Sequence, residues 1–194
     1  LKDGNLLEVT SVSVSPSVTG TYSAATSGGA ISDVTPDYSF TNLAFRTDIS
    51  DDMALAIIQD QPYGASVSWT DGVTHNPLLG ETGLSYNGVK ATITSSATTA
   101  LVSYDLADNI TVYGGVKEQT VSASASNPVV GNYTISSNTD SSMGYVLGAA
   151  FEKPEIAMRV ALTYQSKVGH DLAVVEATAA GAAPSATLSF DTPE

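Results

Sequence analysis

The chain has no cysteine, so it can form neither a disulfide framework nor a thiolate metal site. Charged residues make up only 14% of the 194 residues, and just seven are Lys or Arg. These basic residues are scattered and the formal net charge is −13, which argues against a nucleic-acid partner. No apolar run approaches the ~18 residues of a membrane-spanning helix. Charged residues are few, whereas Ser, Thr, Gly and Ala are plentiful, so the polar surface is mostly uncharged.

Residues suited to catalysis or metal binding are also few. The two histidines, His75 and His170, both fall in segments that we expect to be loops. His170-Asp171 with one of the many serines could be read as a triad, but no nucleophile elbow is present. Two histidines without cysteine argue against a transition-metal site, and no EF-hand spacing occurs. We therefore expect no enzyme, no cofactor and no bound metal.

The stretch from Met143 to Lys167 has the clearest pattern in the chain. Side chains alternate between the faces of a strand, and here apolar residues occupy one parity in each of two arms. In the second arm, Met158, Val160 and Leu162 alternate with polar residues such as Arg159 and Thr163. Glu152-Lys153-Pro154-Glu155 separates the arms. The stretch is therefore predicted to be a β-hairpin with one apolar face.

The same pattern predicts further strands, at 6–18 with a possible bulge at Thr10-Ser11, and at 40–49, 53–69, 89–106, 110–122 and from 187 onward. Short turns are expected at 48–52, 105–109 and 152–155. Long loops are expected at 19–38, 70–88, 123–141 and from Gly169 to Pro184. In an up-and-down meander, this alternation places all tight turns at one edge of the sheet. Short turns at one edge and long loops at the other are typical of outer-membrane β-barrels.

The order of several short motifs resembles a known family. These motifs are Arg46-Thr47-Asp48-Ile49, Gln61-Pro62-Tyr63-Gly64, Tyr104-Asp105-Leu106, the run 161–166 and Phe190-Asp191-Thr192-Pro193-Glu194. Together they are similar to the FadL-type outer-membrane transporters of long-chain fatty acids and other hydrophobic compounds. The resemblance implies a transmembrane β-barrel in the outer membrane of a Gram-negative bacterium. Its expected partners are membrane lipid and a hydrophobic small molecule.

Two features of that family are missing from the sequence. Its N-terminal hatch carries an Asn-Pro-Ala motif, which does not occur here. Its barrel has fourteen strands, whereas we count about seven and the start of an eighth. We therefore expect residues 1–194 to be one domain, the N-terminal half of such a barrel without its hatch, incomplete at both ends. The expected fold class is all-β, an antiparallel meander.

The strand at 53–69 is interrupted by a polar segment, Gln59, Asp60, Gln61, Pro62, Tyr63 and Gly64. Proline cannot donate to a ladder and glycine permits a bend, so we predict that ladder pairing stops within this segment. The family resemblance implies a function for the break. An inward kink of the third strand would open a lateral portal through which apolar substrate leaves into the bilayer. The alternative is an ordinary bulge.

Three basic residues, Arg46, Lys117 and Arg159, lie on the polar parity of their strands. A fatty-acid carboxylate inside a lumen needs a cationic partner, because a buried unpaired charge is costly. They are therefore candidate lumenal carboxylate contacts. The alternative is a salt bridge within the lumen, to Asp48, Asp105 or Glu118.

Two functions of different classes fit the sequence. The first is an outer-membrane channel for passive uptake of long-chain fatty acids or other hydrophobic compounds, with lateral exit at the kinked third strand. The second is a secreted or surface-exposed β-sandwich module for adhesion or binding. The sequence does not name the substrate.

Overall fold

The chain is almost entirely antiparallel β-sheet. The computed structural model describes residues 4–22, 29–70, 73–76, 81–85, 88–128, 131–183 and 186–193. In these ranges, one turn of 3-10 helix, Pro154–Ile156, is the sole helical element. None of the described residues forms a helix with the length and apolar character needed to cross a membrane. The predicted all-β class is confirmed.

The strands, in chain order, are β1 (Leu6–Val14), β2 (Gly20–Tyr22), β3 (Gly29–Ile31), β4 (Tyr38–Ser50), β5 (Met53–Asp60), β6 (Gly64–Ser68), β7 (Val73–Asn76), β8 (Glu81–Ser85), β9 (Lys90–Ala107), β10 (Ile110–Asn127), β11 (Tyr133–Ser137), β12 (Asp140–Lys153), β13 (Met158–Gln165), β14 (Val168–Thr178), β15 (Gly181–Ala182) and β16 (Ala186–Thr192). Twelve of them form one sheet, while β2–β3 and β7–β8 are separate small hairpins.

The large sheet is a meander of eight consecutive strands, which we call the wall. Its strands are β1, β4, β5 with β6, β9, β10, β11 with β12, β13 with β14, and β16. β5 and β6 both pair with β9, and β11 and β12 both pair with β10, so each couple is one interrupted strand. β13 pairs with β12 and β14 with β11 in one continuous register. This arrangement agrees with the predicted seven strands and the start of an eighth.

The three predicted tight turns lie together at one edge of the wall. Asp51-Asp52 joins β4 to β5, Asp108-Asn109 joins β9 to β10, and the 3-10 turn joins β12 to β13. Neighbouring turns are bonded to one another: Asp105 N donates to Asp52 O at 2.9 Å, and Glu152 N donates to Asn109 O at 2.9 Å. The prediction that these turns share an edge is confirmed.

The wall has two chemically different faces, because directly paired residues on adjacent strands project to the same side. We call the face that carries Arg46, Tyr113 and Lys117 the inner face, and the opposite one the outer face. Met158, Val160 and Leu162 lie on the outer face, whereas Arg159 and Thr163 lie on the inner face, as the alternation predicted. The exposed apolar residues of the outer face include Leu7, Val9, Phe45, Ile57, Val102, Val116, Met143, Tyr145, Leu147, Val160, Leu162 and Tyr164.

One aromatic residue ties three wall strands together across the inner face. Tyr113 on β10 is paired with Gly148 on β12, and its hydroxyl is 2.5 Å from Thr163 Oγ1 on β13. A Cβ at position 148 would overlap the Tyr113 ring, so glycine there makes room for the ring to lie across the neighbouring strand. A glycine covered by a cross-strand aromatic is a recurrent device for pinning β register.

The predicted long loops are partly wrong, because strands continue into each of them. Residues 19–38 contain β2 and β3, and residues 70–88 contain β7 and β8. Residues 123–141 contain the end of β10, all of β11 and the start of β12. The largest correction is Gly169 to Pro184, predicted as a loop, where β14 runs from Val168 to Thr178. The predicted bulge at Thr10-Ser11 is also wrong, since β1 pairs with β4 without a register shift.

Candidate functional site

The predicted interruption of the third wall strand is present at residues 61–63. β5 ends with Asp60 opposite Ala97, and β6 resumes with Gly64 opposite Thr94. Three residues therefore lie opposite two on β9, which is a bulge-like shift. The backbone of Tyr63 is held by a side chain instead: its N–H donates to Ser95 Oγ at 2.9 Å, and the Ser95 hydroxyl donates to its C=O at 2.5 Å.

On its other side the interrupted strand separates from β4 and leaves an opening in the wall. Leu43 and Gln59 are the last paired residues of β4 and β5, and Ser68 N donates to Val34 O at 2.7 Å further along. Both contacts belong to the same antiparallel register, because Val34 lies nine residues before Leu43 and Ser68 lies nine residues after Gln59. Between them, in this fully described part of the chain, residues 35–42 and 60–67 share no backbone hydrogen bond. We call this space the first opening.

At the far end of the first opening, the chain around Val34 is anchored on both sides. Val18 N and Thr35 N each donate to Asp33 Oδ1 at 3.0 Å, and Val34 N donates to Val18 O at 3.1 Å. The backbone bonds from Val18 and Thr35 lower the pKa of Asp33. A lowered carboxyl pKa stabilises the fold above the ordinary carboxyl range, so this contribution is lost as the pH falls through the lowered value.

The near end of the first opening is polar on its inner side. Asn42 and Asp60 occupy opposed register positions on the inner face, and an Oδ1 atom of each is buried without a hydrogen-bond partner among the described residues. Gln59 lies on the exposed outer face, next to the apolar row that includes Ile57. Six residues were predicted for the portal. Gln59 and Asp60 are still paired with β9, the three residues 61–63 form the break, and Gly64 is already paired with β9 again.

Two of the three predicted cations already have carboxylate partners. Arg46 Nη1 is 2.7 Å from Asp48 Oδ1 and also donates to Gly4 O at 2.7 Å, which matches the salt-bridge alternative. Arg159 Nε is 3.0 Å from Glu152 Oε1. Both guanidinium groups line an open cavity of about 160 Å³ on the inner face, together with Ala54, Ala56, Leu101, Ser103 and Tyr113.

Lys117 differs from both arginines. It is 8% exposed, and its Nζ lies 3.3 Å from the neutral amide oxygen of Gln165. None of the ion pairs found among the described residues includes it. A buried ammonium with only a weak neutral partner has free capacity for a charge-assisted hydrogen bond to an anion.

No protein-family model matches the chain, and no curated protein matches its sequence. Among solved structures, one similar chain is described as the crystal structure of a Pseudomonas aeruginosa FadL homologue. The TM-score is 0.54 at 15% sequence identity, over 75% of this chain and 35% of that one. The chain has a FadL-like fold. It spans about a third of the length of that structure, and an identity this low shows the fold alone.

Sequence reasoning did not identify Ser95 and Asn42 at the first opening. Ser95 lies in a run of Ser and Thr, where nothing marks it as the residue opposite Tyr63. Asn42 has the polar parity of β4, but nothing in the sequence places it opposite Asp60. Both roles depend on the register between strands, which a single strand does not encode. The described residues contain no cluster of three or more potential metal ligands.

Proposed function

We propose that this chain belongs to an outer-membrane channel for passive uptake of hydrophobic compounds, long-chain fatty acids or hydrocarbons among them. No chemical reaction takes place. Substrate enters the lumen bounded by the inner face and leaves sideways, through the first opening, into the bilayer. The observation that carries this proposal is the break between β4 and β6 in a sheet whose outer face is apolar.

The outer face supports a lipid environment. Leu147 is 53% exposed and Leu162 is 78% exposed, although both lie in the middle of paired strands. Soluble monomers rarely expose contiguous apolar patches larger than a few hundred Å². Lipid removes this cost, because acyl chains replace water against the same side chains. A β-sandwich would instead bury this face against a second sheet.

The first opening supports a lateral route. A membrane strand that leaves backbone groups unpaired against lipid loses several kcal/mol per group, so an interruption in the wall needs a compensating use or cover. Ser95 covers the Tyr63 backbone on the β9 side. On the β4 side, residues 35–42 and 60–67 face a gap that is bounded at both ends. Such a gap gives an extended apolar molecule a route from the lumen to the bilayer.

Two charged residues along this route would act differently on a fatty acid and on an uncharged hydrocarbon. Lys117 on the inner face can hold a carboxylate, whereas Asp60 at the first opening would repel one. A fatty acid would therefore bind near Lys117 through its head group, and it would pass the first opening more readily when protonated. An uncharged hydrocarbon would be neither attracted by Lys117 nor repelled by Asp60.

Replacing Lys117 tests the carboxylate contact. We expect Lys117→Gln to weaken fatty-acid binding by about ten- to a hundredfold, because a hydrogen bond to a charged group contributes roughly 1.5–3 kcal/mol. Binding of an uncharged hydrocarbon should be unchanged. The measurement is equilibrium binding of both ligands to the complete protein in detergent, with the exposed Lys90→Gln as the matched control. Equal loss for both ligands would show that Lys117 acts through packing and not through charge.

The proposed environment can be tested apart from the substrate. The complete protein should require detergent or lipid to remain monodisperse and folded. A β-sandwich module of the same sequence would be monodisperse in buffer alone, and that result would favour the adhesion or binding function. Analytical ultracentrifugation with and without detergent distinguishes the two.

A further inference from the structure

A second interruption occurs between the sixth and seventh wall strands. Ser166 N donates to Tyr145 O at 2.9 Å, and Asn138 N donates to Ala173 O at 3.0 Å. Each contact extends a ladder by one residue: Tyr145 and Ser166 follow the β12–β13 ladder, and Asn138 and Ala173 follow the β11–β14 ladder. Between them, residues 139–144 of one strand and 167–172 of the other are fully described and share no backbone ladder. We call this space the second seam.

At the second seam, the seventh wall strand lies on the inner side of the sixth. Val168, His170 and Leu172 continue the parity of Leu162 and Tyr164, which face outward, yet they are only 1–2% exposed. Gly144 lies on the inner face of β12, and a Cβ there would be 2.8 Å from Val168 Cγ2. β14 has therefore moved inward, so that its outward side chains are covered by the inner face of β10 and β12.

The carboxylate of Asp140 fastens the overlapping strands. Its Oδ2 is 2.8 Å from His170 Nδ1, and it also accepts a hydrogen bond from the backbone N–H of Asp171. The Ser142 hydroxyl donates to the same Oδ2 at 3.1 Å. At the turn-side end of the second seam, Tyr145 N donates to Ser166 Oγ at 3.0 Å. A serine hydroxyl thus satisfies a tyrosine backbone N–H here, as Ser95 does for Tyr63 at the first opening.

The two interruptions lie at the same level of the sheet. Ser95 on β9, next to the break at 61–63, is paired with Val121 on β10, and Val121 is paired with Asp140 on β12. The second seam is also accessible from the outer face. An open depression of about 640 Å³ lies there, and its lining combines apolar outer-face residues with residues of the second seam: Val116, Met143, Gly144, Tyr145, Tyr164, Ser166 and Lys167.

We propose that the second seam is a second lateral opening for hydrophobic compounds, closed in this structure by Val168, His170 and Leu172 behind β12. This inference rests on the proposed function, since it gives the channel another route between lumen and bilayer. The depression on the outer face is where an acyl chain or hydrocarbon contacts the second seam. Opening requires β14 to separate from the inner face of β12. This breaks the contacts of Asp140 with His170 and with the Asp171 N–H, but no backbone ladder.

A reversible disulfide tests the second seam. Residues 1–194 contain no cysteine, so Gly144→Cys with Val168→Cys adds one defined pair to this part of the protein. The two positions are close neighbours, because a Cβ at 144 would lie 2.8 Å from Val168 Cγ2. The first opening is bridged separately through Thr41→Cys and Gln61→Cys with a bifunctional thiol reagent. Uptake of a labelled hydrocarbon is measured in cells carrying the complete protein in four forms: unbridged, each bridged singly, and both bridged.

We expect bridging of the first opening to leave residual uptake, and the additional disulfide at the second seam to remove it. Reduction of the 144–168 disulfide should restore the residual uptake. If the residual uptake is unchanged by the 144–168 disulfide, or if none remains after the first bridge, the second seam carries no substrate and the inference is overturned. If neither bridge changes uptake in a folded barrel, the lateral exit itself fails, and the proposed function fails with it.

A variant that weakens the Asp140–His170 contact tests the second seam in a second way. With the first opening bridged, Asp140→Asn should raise the residual uptake, because it removes the charge that holds His170. Asp171→Asn is the matched control, one residue away on the opposite side of β14, where Asp171 accepts a hydrogen bond from Ser189 at 2.5 Å. An equal change in both variants, or none in either, would contradict a gating role for the Asp140–His170 contact.

Discussion

Bridging the first opening should stop most uptake of hydrophobic substrate while the barrel remains folded. Thr41 and Gln61 occupy opposed register positions on its two free edges and are both exposed, so a short thiol reagent between cysteines there would close the gap directly. The physical reason is simple: an apolar solute that leaves through the wall cannot pass a covalent bridge across the gap. The measurement is the initial rate of uptake before bridging, after bridging and after chemical release.

A bridge placed where the wall is already continuous serves as the control. Phe45 and Ile57 are directly paired on β4 and β5, so a cysteine pair there should bridge without changing uptake. Circular dichroism checks that each bridged protein keeps its β-sheet. Full uptake with the 41–61 bridge in place would contradict the lateral route and leave Pro62 at an ordinary bulge.

An arginine on the outer face should destabilise the protein strongly. Leu162 is 78% exposed and lies six residues beyond Ile156, in the middle of the outer apolar row. A cationic side chain on the lipid face near the membrane midplane costs about 2–4 kcal/mol. We therefore expect Leu162→Arg to lower the free energy of unfolding by about that amount, measured by reversible denaturant unfolding into lipid vesicles.

The same substitution at the neighbouring position shows whether the loss of stability depends on the face of β13 or affects the whole strand. Ala161 is adjacent to Leu162 on β13 but projects to the inner face, where Arg159 and Gln165 already lie. Ala161→Arg should therefore leave the free energy of unfolding almost unchanged. Comparable losses at 161 and 162 would mean that the two faces of β13 share one environment, which the proposed membrane wall does not allow.

Local sequence pattern predicted much of this wall. The hairpin of β12 and β13 followed from strict alternation around a four-residue turn, and the three tight turns followed from connection length. The break at 61–63 also followed from local chemistry, since Pro62 lacks an N–H and polar residues replace the apolar alternation. Each of these features depends on residues close together in sequence, and such features are the ones that a single sequence encodes most directly.

The features that the sequence did not predict depend on contacts between distant strands. β14 alternates Val168, His170, Leu172 and Val174 with Gly169, Asp171 and Ala173, but its histidine, glycine and alanines resembled loop composition. The partners of the buried side chains, Asp140 and Gly144, lie more than twenty residues earlier in the chain. Ser95 was not predicted for the same reason, because its partner Tyr63 lies 32 residues earlier in the chain, on the neighbouring wall strand.

Spin labels at Val160 and Thr163 test the central claim most directly, because these residues lie on opposite faces of one strand in the proposed membrane wall. The complete protein would carry either label in lipid vesicles, and collision rates with molecular oxygen and with a water-soluble nickel chelate would be compared. We predict that the label at 160 is relaxed mainly by oxygen, which concentrates in lipid, and the label at 163 mainly by the chelate, which enters a wet lumen. Equal accessibility of the two positions to both quenchers would contradict the membrane wall.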